Sequence, residues 1–224
     1  MNIAVLGTGM VGSIIANKLL ELGHQVMMGS RSADNETLVK WRASAGPGAR
    51  AGTFRDAAGF GQVVFNCTNG ANSLQALRLA GPDTLAGKLL LDVANPLDFS
   101  GEGPPSLTVC NTDSLGEQIQ REFPAACVVK TLNTMNCEVM VNPSLVPGDH
   151  VVFICGNDAA ARQETSGYLT EWFGWKPENI VDLGDITAAR GTEMMLPIWL
   201  RLWNTKGHGH FNFQIATKRT ITNR

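Results

Sequence analysis

A glycine pattern near the N-terminus lies between two runs of different periodicity, and this combination restricts the fold more than any other feature. Residues 2–6 (NIAVL) are a short apolar run of the kind that forms a strand buried on both faces. Gly7-Thr8-Gly9-Met10-Val11-Gly12 follows at once, and residues 10–22 then carry apolar side chains at helical spacing (Val11, Ile14, Ile15, Leu19, Leu22) before stopping at Gly23. A G-x-G-x-x-G that closes a strand and opens a helix is the turn that receives a dinucleotide. Gly7 permits the tight turn, Gly9 lets the backbone approach a pyrophosphate, and Gly12 lets helix and strand pack closely. The anion then meets free N–H groups at the positive end of the helix.

The end of the next strand separates the two nicotinamide dinucleotides. Residues 25–28 predict that strand, which runs into Gly29-Ser30-Arg31-Ser32. A site for NAD(H) usually has Asp or Glu here to hold the ribose 2'-hydroxyl. This sequence has none at that point. Arg31 instead offers charge-assisted hydrogen bonds to a 2'-phosphate, Ser30 and Ser32 add hydroxyls, and Thr8 in the glycine turn is able to reach the same phosphate. The pattern favours NADP(H).

Strand and helix signals keep alternating downstream. Helices are expected over residues 35–43, 72–79, 114–123 and 158–173, and strands over 62–67, 88–92, 127–130 and 150–155. The Gly/Pro-rich segment AGPGARAG (45–52) reads as a turn and residues 95–105 as a loop. Ser114 with Glu117 reads as a capping box, and Asp158 as an N-cap. The fold class is therefore α/β: a Rossmann-type, doubly wound, mainly parallel sheet. After residue 184 a helix over 186–203 is apolar on several faces (Met194, Leu196, Ile198, Trp199, Trp203), so either the sheet or a partner subunit must cover it. This organises the chain as a dinucleotide-binding domain over 1–183 and a small helical part over 184–224, on the dimerisation and substrate side.

Composition excludes several function classes. Lys+Arg 18 against Asp+Glu 20 leaves a net charge of -2 and no basic footprint for nucleic acid. The short basic run from Lys218 to Arg224 reads as a solvated terminus. The longest apolar stretch, 194–203, is too short to span a bilayer and contains Arg201, and no basic-then-apolar leader precedes the first strand. Five cysteines without a CxxC spacing fit a reduced, cytoplasmic protein.

The sequence resembles the coenzyme F420-dependent NADP oxidoreductase family, which includes the cytosolic domain of the six-transmembrane ferric reductases. The likeness is carried by GTGMVGSIIANKLLELGHQVMMGSRS, DVANPLD, VVKTLNTMN, VFICGNDAAA and DLGDITAARGTEMMLPIW, which fall in the family's order and cover most of the chain. The KTLNT and CGND segments are more specific than the glycine turn. The resemblance implies a Rossmann domain with a small helical C-terminal part, NADP(H) binding and homodimers. It matches the glycines, Thr8 and the Ser30-Arg31 pair to cofactor-binding positions. Thr68-Asn69, Asn95-Pro96 and Thr131-Leu132-Asn133 match loops bordering the nicotinamide. Residues 95–98 and the tail after Trp203 depart from the family members that use F420, where the counterparts line the deazaflavin pocket.

Ligands of open α/β sheets bind beyond the carboxyl ends of the strands. The residues expected there are small or amide-bearing: Asn69, Asn95 and Asn133 are able to bond a ribose or carboxamide without adding charge. No acid/base group stands out, and no catalytic residue is assigned. Lys130 is the one lysine near this rim, positioned to orient substrate, and Glu193 reads as a partner for Arg190. Tyr168 reads as packing, and His24 and His150 as solvated turn residues. His208 and His210 lack further ligands, so no metal site is expected. Trp199, Trp203, Phe211 and Phe213 are candidates for walling a pocket or for packing. Hydride exchange between two ring systems needs stacking and exclusion of water more than a proton relay. The reading is thus hydride exchange between NADP(H) and coenzyme F420 or a related flavin-like acceptor. An NADPH-dependent reductase of a small imine or carbonyl compound, and a non-catalytic NADP(H) sensor, are the alternatives.

Overall fold

A computed structural model describes residues 1–218, so the basic run from Arg219 onward lies outside the described residues. The chain opens with β1 (Asn2–Leu6), α1 (Met10–Glu21), β2 (Gln25–Ser30), α2 (Glu36–Ser44), β3 (Ala49–Thr53), α3 (Phe54–Phe60) and β4 (Val63–Asn66). It continues with α4 (Gly70–Ala80), α5 (Pro82–Leu85), β5 (Leu89–Asp92), a small hairpin of β6 (Leu97–Asp98) and β7 (Ser106–Leu107), α6 (Leu115–Glu122) and β8 (Cys127–Thr131). α7 (Cys137–Val141), β9 (Val152–Cys155), α8 (Ala159–Phe173), β10 (Ile180–Asp182), α9 (Ala189–Met194) and α10 (Leu196–Lys206) complete it.

Eight strands form one sheet in the order β10-β9-β8-β5-β4-β1-β2-β3. Every pairing is parallel except β8 with β9, where Lys130 faces Cys155 and Thr131 faces Ile154. The fold is the mainly parallel, doubly wound Rossmann type. The two-residue period of β1 explains the helices on both faces. Ile3 and Val5 point into one core with Ile15 and Leu19 of α1 and Trp172 and Phe173 of α8. Ala4 and Leu6 point into the other with Phe54 and Ala57 of α3 and Leu77 of α4. All four β1 residues are fully buried, and burying a side chain the size of Ile, Val or Leu contributes about 1.5–3 kcal/mol. No helix among the described residues is long and apolar enough to cross a membrane.

Three local expectations are corrected. The small residues of AGPGARAG do not merely turn the chain; they lead into β3 and α3. An added Cβ on Gly52 would lie 2.8 Å from Asp56 Cβ, and one on Gly29 would lie 2.9 Å from Ala57 Cβ, so the small residues admit α3 against the sheet. Thr53 and Asp56 cap that helix reciprocally. The expected loop over 95–105 contains most of the β6–β7 hairpin. The expected single helix over 186–203 is broken at Met195, because Pro197 has no N–H to continue it and instead occupies the first turn of α10.

Candidate functional site

The strand order reverses at β1, which lies between β2 and β4, and a crevice opens at their carboxyl ends. A cleft of about 560 Å³ occupies it. Gly7-Thr8-Gly9 after β1, Ser30-Arg31-Ser32 at the end of β2 and Cys67-Thr68-Asn69 after β4 form its floor. Asn72, Gln75, Ala76 and Leu79 of α4 close one side. Sequence reading missed these four, although their spacing marks one helix face.

The three glycines have different physical reasons. Gly7 is left-handed (φ 114°), and an added Cβ would meet the Cys67 carbonyl oxygen at 2.6 Å. A Cβ on Gly12 would lie 2.3 Å from the Gly7 oxygen. Gly9 is different: its backbone is extended (φ -75°), and beyond its own chain neighbours no described atom lies within 4 Å of an added Cβ. Nothing in the protein requires glycine there, but a side chain would project into the cleft. α1 also has no side-chain cap, which leaves its first-turn N–H groups facing that space.

At the end of β2, the buried Ser30 hydroxyl donates to the Ser32 carbonyl (2.5 Å) and accepts from the Ser32 N–H (3.3 Å), folding the turn that presents Arg31. Arg31 is exposed and, among the described residues, takes part in no ion pair and is the one charged side chain lining the cleft. A carboxylate does stand nearby, which the sequence reading overlooked: Asp34 accepts the Ser32 hydroxyl. It does not line the cleft.

A second cleft of about 230 Å³ shares Cys67, Thr68 and Asn69 with the first and continues to Val11, Ala94, Asn95, Leu97 and Phe99. Its only ionisable side chain among the described residues is Cys67, whose thiol is pushed up by burial and by the charge of Asp92 and so stays neutral. Thr68 donates its hydroxyl to Asn66 Oδ1 at 2.7 Å, and Asn69 caps α4 by accepting the Ala71 N–H. Asn95 and Asn133 bond each other: Asn95 Nδ2 donates to the Asn133 carbonyl (2.8 Å) and Asn133 Nδ2 to Asn95 Oδ1 (2.9 Å). Leu132 reaches this arrangement in the left-handed region (φ 62°), an uncommon state for leucine. Thr131 turns into the sheet and donates to the Phe153 carbonyl. Of the residues singled out in the sequence, Met10, Gly12 and Pro96 lie next to cleft-lining residues in the chain without lining either cleft, and Thr131 and Asn133 line neither.

Three other side chains are corrected. Lys130 does not face the rim. It is buried between Asp92 Oδ2 (2.6 Å) and Glu193 Oε1 (2.8 Å) and donates to the Ala94 carbonyl (2.7 Å). Burial alone would drive off its proton, but the two carboxylates outweigh this and hold the ammonium above its ordinary value. Glu193 therefore does not pair with Arg190; its carboxylate also accepts the Leu115 and Gly116 N–H groups at the start of α6. Arg190 pairs with Glu117 instead, which leaves only the Ser114 half of the expected capping box. His150 is buried rather than solvated, with Nε2 at 2.9 Å from the Pro143 carbonyl. Trp199 stacks on Trp203 and Phe211, and neither cleft is lined by these residues or by Phe213.

Comparison with known proteins shows the family and the fold. Residues 2–96 match the family described as NADP oxidoreductase, coenzyme F420-dependent. A crystal structure from Arthrobacter sp. FB24, named as a candidate F420-dependent NADP-reductase, is 50% identical, covers 96% of this chain and 99% of its own, and superposes with a TM-score of 0.89. The metalloreductase STEAP3 of Rattus norvegicus is 28% identical over 203 residues, which is 88% of this chain but 37% of the rat protein. The chain thus spans little more than a third of that relative. A reductive aminase from Aspergillus terreus, solved with NADPH and ethyl levulinate, shares the fold at 18% identity and a TM-score of 0.63, over 92% of this chain and 62% of that one.

Proposed function

The chain belongs to the coenzyme F420-dependent NADP oxidoreductase family, and from that premise we propose that it exchanges a hydride between NADP(H) and a deazaflavin or flavin-like ring bound in the second cleft. Its class, an NADP-dependent oxidoreductase, follows from the family. In the proposed binding mode the pyrophosphate lies on the uncapped N–H groups of α1, over Gly9. The 2'-phosphate lies against Arg31, with Thr8 and the Ser30–Ser32 turn beside it. The nicotinamide end passes Thr68 and Asn69 into the cleft lined by Asn95, next to Pro96, with Asn133 holding Asn95 from behind. When bound, the nicotinamide supplies the hydride chemistry; the chain's own residues orient it and exclude water.

One observation carries the choice of acceptor. The second cleft has no ionisable side chain among the described residues except a thiol held neutral. Reduction of an imine or carbonyl asks for a proton donor at the reacting atom, whereas ring-to-ring hydride exchange does not. Stopped-flow oxidation of NADPH with coenzyme F420, FMN, FAD, a ferric chelate and a small imine or carbonyl compound as acceptors tests the reading. Rapid turnover is expected with F420 or a flavin; turnover confined to imines, carbonyls or ferric chelates overturns it. The exposed apolar side chains of Met194 in α9 and of Ile198 and Trp203 in α10 support a homodimer. Five free cysteines support a reducing compartment such as the cytoplasm.

A further inference from the structure

Lys130 plays no part in the hydride chemistry, yet its side chain is fully buried together with two carboxylates, Asp92 and Glu193. Apolar side chains of the same volume often serve stability as well as a buried ion cluster does, so such a cluster suggests a role in specifying geometry. The contacts indicate which geometry. The three ammonium protons have three acceptors: Asp92, Glu193 and the Ala94 carbonyl. Asp92 Oδ1 in turn accepts from Asn66 Nδ2 at 2.8 Å and from the Ala94 N–H at 3.3 Å. Asn66 Oδ1 accepts the Thr68 hydroxyl. The network therefore ends on Ala94 after β5 and Thr68 after β4, which line the second cleft from two strands. It has no contact with Ser30, Arg31 or Ser32 at the far end of the first cleft.

We infer that Lys130, together with Asp92, is a positioning residue for the nicotinamide end of the site: it fixes the Ala94 carbonyl and the Thr68 hydroxyl, while the adenosine end is set independently by the β1 and β2 loops. The inference rests on the NADP(H) reading above. The Asn95–Asn133 pair, one residue beyond Ala94, ties the same loop to the segment after β8 a second time.

The test compares two ligands, NADPH and adenosine 2',5'-bisphosphate, which carries the adenosine end alone. Lys130→Met by itself would leave two buried carboxylates without a cation and prevent folding. The neutral triple variant Lys130→Met, Asp92→Asn, Glu193→Gln removes all three charges and the Ala94 anchor. Asp92→Asn is the milder second variant, since it leaves Lys130 paired one to one with Glu193. In either folded variant, bisphosphate affinity is expected to stay within about twofold of the parent. NADPH affinity is expected to fall about tenfold or more, and the emission of bound NADPH to move toward that of free NADPH. Unchanged preference and emission in Asp92→Asn and in the folded triple variant overturn the positioning role. Equal loss for both ligands does so too, because it reports general loosening. If the parent protein binds neither ligand, the cofactor reading fails, and the inference fails with it.

Discussion

Replacing Gly9 by serine should stabilise the protein slightly while disabling it. Gly9 is the N-cap residue of α1, its backbone is already extended (φ -75°, ψ -177°), and beyond its own chain neighbours no described atom lies within 4 Å of an added Cβ. Serine fits this conformation without strain, and its hydroxyl can accept from the N–H of Val11 or Gly12. Serine outranks glycine as an N-cap by roughly 0.3 kcal/mol, which for a chain of this size corresponds to a rise in Tm of about 1 °C. The same hydroxyl takes a donor that the pyrophosphate needs, and the Cβ occupies the phosphate's path. One lost charge-assisted hydrogen bond is worth about 1.5–3 kcal/mol, so NADPH affinity should drop by at least roughly 10- to 150-fold. Scanning calorimetry and titration calorimetry with NADPH measure the two quantities on one sample. NADPH affinity retained within about threefold refutes the placement of the pyrophosphate, and a fall in Tm beyond about 3 °C refutes the reading of Gly9 as free of internal contacts. Gly12→Ser is the contrasting control. Its Cβ would lie 2.3 Å from the Gly7 oxygen, and overpacking of about 1–3 kcal/mol should lower Tm by roughly 2–12 °C.

Arg31→Ala should weaken NADPH binding by roughly 10- to 100-fold and leave NADH nearly unaffected; equal losses in paired titrations would show that Arg31 does not meet the 2'-phosphate. Glu117, held below its ordinary value of 4.5 mainly by its hydrogen bonds from Arg190, contributes stability that is present above pH 4.5 and lost as pH falls through the lowered value. Glu117→Gln should therefore cost about 1 kcal/mol at neutral pH and flatten the acid limb of a Tm-against-pH series; an unaltered limb would contradict the assignment. The exposed apolar side chains of α10 predict a dimer at micromolar concentration, and a monomer in sedimentation velocity would count against it.

The parts of the fold legible in the sequence were those set by local physics. The β1 turn and α1 were readable because a positive φ at Gly7, close contact at Gly12 and helical periodicity all act within a few residues. The Asp158 cap, which accepts the Ala161 N–H, was readable for the same reason. β3 and α3 were hidden because Ala49 and Gly52 look like turn formers when their reason is the close approach of a helix. The break before α10 needed Pro197 to outweigh a continuous apolar run. At the site, Arg31 was visible at the end of its strand. The partners of Lys130 were not, since Asp92 and Glu193 come from distant segments and only the completed sheet brings them together. Once Glu117 is adjacent in space, it competes with Glu193 for Arg190, and sequence proximity cannot rank such rivals.

Glu193 also sets a clock for synthesis. The α6 N–H groups it receives begin at Leu115, 78 residues earlier in the chain. At ~5–20 residues per second a ribosome takes roughly 4–16 s to cover that distance. Through this interval the start of α6 lacks that acceptor, and so does the Lys130 ammonium once it is made, although β1, β2, β4 and β5 have already been synthesised. A nascent chain can thus assemble the glycine turn well before the second cleft acquires its final anchor. Arrest of translation between β10 and α9 should yield chains that capture the adenosine end of the cofactor before they hold its nicotinamide end.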